Sequence, residues 1–221
     1  GLSPDVDPVL AEALQKAKPR AISHERATGQ PTGSRIVKAA DAQIATGIVG
    51  LALTLVVAVV AAMLLTSRPE SSDAVRAAPD FTLTNTEGQQ VSLADYRETN
   101  VLLYFNEGAG CQSCLVQMAE IEKETAALTD LDVTVLPIVM NTREQITADM
   151  KLNGVATPFL LDDGTVSQAY GTLGKGMHAG LPGHSFILID KAGAQRWYGE
   201  YPSMWLAPDQ LIRELRTRLA G

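Results

Sequence analysis

Cys111 and Cys114 are the only cysteines in the chain, and two residues separate them. The thiolate is the reactive form of cysteine, and a second thiol at this spacing on a helical turn can reach the first. The local string is Leu102-Leu103-Tyr104-Phe105-Asn106-Glu107-Gly108-Ala109-Gly110-Cys111-Gln112-Ser113-Cys114. It reads as an apolar strand, a glycine-rich turn and a pair of thiols at the start of a helix. Unpaired backbone N–H groups and the positive end of the helix dipole stabilise a thiolate there. Cysteine pKa falls from about 8.5 to about 3.5–7.5 in such settings. Cys111 is therefore expected to attack a disulfide, and Cys114 to resolve the mixed disulfide that results. Glu107, the nearest carboxylate in sequence, is a candidate proton acceptor for Cys114.

Other chemistry is open to the same pair. A structural disulfide over so short a loop removes little chain entropy, which makes it a poor staple. Half a zinc site lacks its other half, because no second C-x-x-C and no H-x-x-x-H follows. Two thiolates with an imidazole would suit Cu(I).

The elements that must position the pair alternate strand and helix signals. Residues 101–105 form a continuous apolar run, expected of a buried central strand. Residues 114–128 carry helical periodicity through Leu115, Met118, Ile121 and Leu128. A second buried strand is expected at 133–139 despite Pro137, and a helix at 142–152 with Asn141 as its N-cap. Residues 81–83 and 90–93 read as a hairpin around Glu87-Gly88; 185–189 and 195–198 read as two strands joined by a turn at 191–193. An amphipathic helix at 208–219 closes the chain. This order predicts an α/β domain, a mixed sheet with helices on both faces.

Ala78-Pro79-Asp80-Phe81-Thr82-Leu83, then Val91-Ser92-Leu93, then the strand and C-x-x-C, resembles the redoxin branch of the thioredoxin superfamily. That branch includes the alkyl hydroperoxide reductase/thiol-specific antioxidant (AhpC/TSA) proteins and the membrane-tethered thioredoxin-like proteins of cytochrome c maturation. Ser185-Phe186-Ile187-Leu188-Ile189-Asp190-Lys191-Ala192-Gly193 is similar to the family's strand and turn after the active-site loop. The resemblance covers residues 78–220 and implies a thioredoxin-like fold and a redox-active disulfide. Thioredoxins place a cis-proline just before that strand, where this chain has His184. Peroxidatic members carry Thr or Ser three residues before the reactive cysteine and an Arg before the strand. Here Cys111 and Gly183 take those positions, which counts against peroxidase activity of the usual kind.

The resemblance implies that His184 faces the two thiols, where it would stabilise a thiolate as a cation, shuttle its proton or ligate a metal. Sco-type copper chaperones resemble this set of two cysteines and a distant histidine, with a longer cysteine spacing. A possible Cu(I) site is thus Cys111, Cys114 and His184, although disulfide exchange requires no cofactor. His178, in the glycine-rich stretch 174–183, is expected to be a solvated loop residue.

Residues 42–67 contain no charged side chain, and the apolar part, 44–65, would span about 33 Å as a helix, enough for a hydrocarbon core of about 30 Å. Lys16, Lys18, Arg20, Arg26, Arg35 and Lys38 precede it, whereas Arg68 and Arg76 are offset by Glu70, Asp73 and Asp80. That asymmetry predicts a cytoplasmic N-terminus and an extracytoplasmic C-terminal domain. The run is longer than the apolar core of a signal peptide, and no clean A-x-A site follows, so a retained single-pass anchor in the cell membrane is expected. The chain then divides into a largely disordered tail at 1–41, a transmembrane helix at 42–67, a linker at 68–78 and a thioredoxin-like redoxin domain at 79–221.

The net charge of −7 with no basic, aromatic-bearing stripe excludes nucleic acid as a partner. The expected partners are extracytoplasmic protein thiols or disulfides and the lipid bilayer. The first function expected is a membrane-anchored thiol–disulfide oxidoreductase. A copper chaperone or assembly factor, and an accessory subunit of a larger membrane complex, are the alternatives.

Overall fold

The computed structural model describes residues 32–66, 68–174 and 179–220, with residues 32–47 and Thr66 described by their backbone alone. Helix α1, Thr32–Thr66, contains the apolar run. Its stretch Ile48–Leu65 is long and apolar enough to cross a membrane, and none of it is buried.

The remaining elements build one mixed sheet. In chain order they are β1 (Glu70–Ser72), β2 (Arg76–Ala77), β3 (Thr82–Asn85), β4 (Gln90–Ser92), a 3-10 turn (Leu93–Tyr96), β5 (Asn100–Phe105), α2 (Gln112–Lys123) and α3 (Thr125–Asp130). There follow β6 (Val133–Val139), α4 (Arg143–Asn153), β7 (Leu160–Leu161), α5 (Thr165–Tyr170), β8 (Ser185–Ile189), β9 (Ala194–Glu200) and α6 (Pro208–Leu219). The strand order is β1-β9-β8-β5-β6-β7-β3-β4, with β2 also pairing β9. β5, β6 and β7 run parallel, and the strands outside them are antiparallel to their neighbours.

Alternation along the central strands sorts the core into two layers. Leu102, Tyr104, Val133, Val139, Phe186 and Leu188 pack on one face with Cys114, Leu115, Met118 and Ile121 of α2, and with residues of α3, α4 and α6. Val101, Leu103, Phe105, Leu136, Ile138, Ile187 and Ile189 face the other layer, which holds Phe81, Leu93, Val166 and Tyr170. Helices therefore lie on both faces, four on the first and the short α5 on the second. Every residue of β5 is buried, which is why its residues 101–105 read as an unbroken apolar run. Leu115, Met118 and Ile121 are each at most 1% exposed, a burial of about 1.5–3 kcal/mol apiece.

Three local expectations change, and one short helix enters that the residue pattern does not predict. The helix expected across 114–128 divides into α2 and α3 at Glu124, whose N–H bonds back to Ile121 O in a tighter turn. Asn141 does not cap α4. Thr142 does, in a reciprocal box: Gln145 N donates to Thr142 Oγ1 (3.3 Å) and Thr142 N to Gln145 Oε1 (2.9 Å). The segment expected to be a linker supplies β1 and β2, which bond to β9 as an edge, so the sheet begins at Glu70. The short α5 carries no long apolar period. Its start is fixed instead by Asp162, which accepts from Val166 N, Ser167 N and Ser167 Oγ.

Candidate redox site

β5 delivers the site. Tyr104 points into the layer that holds α2, and Asn106, fully buried, starts the turn beyond the strand. Asn106 Nδ2 donates to Tyr104 O (3.2 Å), and its Oδ1 accepts from Gly108 N (3.0 Å). Gly108 has φ +70°, a left-handed backbone that favours glycine. A Cβ there would collide with Asn141 Oδ1 and stand 2.8 Å from Val139 Cγ1. Ala109 N donates to Asn141 Oδ1 (2.9 Å) and Gly110 N to Asp149 Oδ2 (2.8 Å). Gln112 Nε2 also donates to Asn153 Oδ1. The turn is thus fastened to the end of β6 and to α4, side chains that the sequence did not mark as part of the site.

Cys111 and Cys114 are joined by a disulfide, with Cα atoms 5.4 Å apart. Cys111 is the N-cap of α2, and its Sγ accepts from Cys114 N (3.3 Å), so the sulfur occupies the place of a capping oxygen. Cys111 is half-buried and flanked by exposed Gln112 and Ser113, whereas Cys114 is fully buried. That difference matches an attacking thiol open to a partner and a resolving thiol behind it.

His184 lies just ahead of β8, which pairs with β5 in the register Tyr104↔Phe186, and so it comes to the pair. Its Nδ1 is 3.9 Å from Cys114 Sγ and 3.2 Å from the Tyr104 hydroxyl, which in turn donates to Cys114 O at 3.2 Å. The imidazole is 1% exposed and stands edge-on to Tyr104 and Phe186, whose own rings are stacked 4.7 Å apart. Burial lowers its pKa to about 4, so the ring is neutral at pH 7 beside the oxidised pair. A neutral donor or acceptor beside the disulfide fits that shift. Burial likewise raises the Tyr104 phenol well above its ordinary range, which keeps it protonated. His184 Nε2 is buried without a hydrogen-bond partner.

Glu107 sits half-buried in the turn four residues before Cys111. His178 lies outside the described residues. Among the described residues no group of three or more His, Cys, Asp or Glu side chains is arranged to hold a metal ion. Tyr104 escaped the sequence reading, although the alternation of Leu102 and Tyr104 in a strand leading to the thiols carries the signal. Cavities of about 520 and 370 Å³ elsewhere on the domain include none of the residues named around the pair.

A model of the AhpC/TSA family matches residues 75–197, more than half of the chain. The chain belongs to the AhpC/TSA family. It is thus a thioredoxin-like redox protein with its cysteine pair at disulfide distance. Among its AhpC/TSA relatives are two Mycobacterium tuberculosis proteins, "Putative peroxiredoxin MT2597" (strain CDC 1551 / Oshkosh) and "Putative peroxiredoxin Rv2521" (strain ATCC 25618 / H37Rv). Each is 32% identical over 99 residues, which is 44% of this chain. The match spans 63% of the length of each relative. A solved Bacteroides thetaiotaomicron structure described as a "putative protein disulfide isomerase" is 26% identical with a TM-score of 0.52, covering 66% of this chain and 89% of that one. Peroxidoxin BcpB of Mycobacterium tuberculosis, at 17% identity, has a TM-score of 0.55 and covers 66% of this chain and 97% of that one. The latter shows the shared fold alone.

Proposed function

We propose that this AhpC/TSA protein is a membrane-anchored thiol–disulfide oxidoreductase that acts on protein thiols or disulfides outside the cytoplasm. The observation that carries the reading is the disulfide at the N-terminus of α2, with one sulfur half-buried and the other fully buried. In the reducing direction the Cys111 thiolate attacks a substrate disulfide and expels one substrate thiolate. The Cys114 thiolate then attacks Cys111 Sγ, closes the disulfide seen here and releases the second. The absence of Thr or Ser three residues before Cys114, and of Arg at Gly183, favours exchange over peroxide reduction. The likeness to a structure described as a disulfide isomerase supports the same choice.

An insulin-type reduction assay on the full chain in detergent tests it. Wild type is expected to reduce the disulfides and Cys111→Ala to lose that activity; equal rates would end the proposal. Anchoring is supported by the exposed apolar stretch Ile48–Leu65 and by the charge asymmetry around it. It predicts that the chain stays with membranes through alkaline carbonate extraction, and release into the supernatant would contradict it. A copper reading would use the reduced pair and His184. It stands second because no group of three or more His, Cys, Asp or Glu side chains among the described residues is arranged to hold a metal ion.

A further inference from the structure

The hydrogen bonds around His184 specify more than nearness to the pair. The Tyr104 hydroxyl has one proton and two neighbours at 3.2 Å, the Cys114 carbonyl and His184 Nδ1. A carbonyl oxygen only accepts. With the phenol proton directed to Cys114 O, the phenol oxygen meets Nδ1 with a lone pair, and that contact is a hydrogen bond only if Nδ1 carries a proton. The partnerless Nε2 points to the same tautomer. With the proton on Nδ1, Nε2 is a bare acceptor, whereas the other tautomer would bury an N–H with nothing to receive it, the rarer defect in proteins. The protonated Nδ1 is also the ring atom 3.9 Å from Cys114 Sγ.

We propose that Tyr104 is a positioning residue that fixes His184 as its Nδ1–H tautomer, and that this N–H, which the Tyr104 oxygen accepts beside the disulfide, is shared with Cys114 Sγ and holds the charge that develops there when Cys114 resolves a mixed disulfide. The inference rests on the exchange reading above. Cys114 is fully buried, and no cation is placed on it by any described contact, so a developing thiolate there depends on a fixed donor. The step balances as follows. Cys111 bonds to one substrate sulfur, and the other leaves as a thiolate. The Cys114 proton goes to that thiolate or, where the thiolate is a weak base, to water, and the Cys114 thiolate attacks Cys111 Sγ. The protein disulfide forms as the mixed disulfide breaks, and the second substrate thiolate leaves with the electron pair. His184 gives and takes no proton overall, and the two electrons pass from the dithiol to the substrate disulfide.

The test uses the reduced full chain in detergent and an aromatic disulfide whose released thiolate is coloured. The first release reports attack by Cys111 and the second reports resolution by Cys114. Tyr104→Phe and His184→Leu are expected to slow the second phase about tenfold or more, the loss of a hydrogen bond to a charged group, and to leave the first phase within about threefold. His184→Asn, whose amide N–H falls near the place of Nδ1, is expected to recover most of the second-phase rate. Nitrogen-15 shifts of the wild-type ring are expected to show the proton on Nδ1. An unchanged second phase in both Tyr104→Phe and His184→Leu overturns the proposal, and so does Asn as slow as Leu, which would make His184 a proton acceptor. Absence of any coloured release by wild type would instead overturn the exchange reading.

Discussion

Asn141 Oδ1 accepts the amide of Ala109 at 2.9 Å, across 32 residues of sequence, and so ties the turn before Cys111 to the end of β6. Gly108, next to that bond, packs where a side chain would strike the same oxygen. Asn141→Ala should therefore cost about 1 kcal/mol by leaving the Ala109 amide unanswered. Gly108→Ala should cost more, about 2 kcal/mol, because it adds a collision to an unfavourable φ. Asn141→Asp keeps the acceptor and should lie nearer wild type. Urea unfolding followed by the fluorescence of Trp197 and Trp205 would show this order; three midpoints equal to wild type would mean the turn is not held this way.

The burial of His184 has a consequence for stability against pH. Its ordinary pKa of 6.5 falls to about 4 in the fold. Between those values the unfolded chain binds a proton there and the folded chain does not. This contribution is therefore fully present above pH 6.5 and is lost as pH falls toward 4, a change of about 3 kcal/mol in all. His184→Asn cannot titrate and should flatten that part of the stability profile relative to wild type. Parallel profiles for the two proteins between pH 6.5 and 4 would show that the buried imidazole does not control it.

Arg218 locks the edge of the sheet to α6. Its Nε donates to Asp73 Oδ1 at 2.7 Å, its Nη1 pairs with Glu214, and its guanidinium lies 4.8 Å above the Trp197 ring. Trp197 Nε1 donates to Ser71 Oγ at 3.0 Å on the same edge. Only 14% of the Arg218 side chain is exposed, so the pairing is less screened than on an open surface. Arg218→Ala should lower stability by about 2 kcal/mol, and Arg218→Lys should recover little of it, since an ammonium cannot donate in a planar fork and stack at once. Lysine at wild-type stability would contradict that account.

Much of this was legible in the residues. Val133–Val139 and Pro208–Leu219 follow directly from an apolar run and an amphipathic period, and the pair could be placed at a helix start because a strand and a turn with two glycines, Gly108 and Gly110, precede it. The edge strands Glu70–Ser72 and Arg76–Ala77 were not legible: they are exposed and polar, and only pairing with β9 makes them strands. His184 could be placed through the redoxin resemblance, but its neutrality could not, because that follows from burial against Tyr104 of β5 and Phe186 of β8 in the folded sheet. Asn141 looked like a helix cap for a sound local reason. Thr142 and Gln145 make the better local solution, which leaves Asn141 for a long-range bond that no spacing encodes.

The central claim is that Cys111 attacks and Cys114 resolves. Its most direct test is to incubate the reduced full chain carrying Cys114→Ser, in detergent, with a disulfide-bonded peptide and to locate the adduct by mass spectrometry. The account predicts a stable mixed disulfide on Cys111, and little or none on Cys114 when Cys111→Ser is treated in the same way. Equal trapping on Cys114, or no adduct on either cysteine, would contradict it.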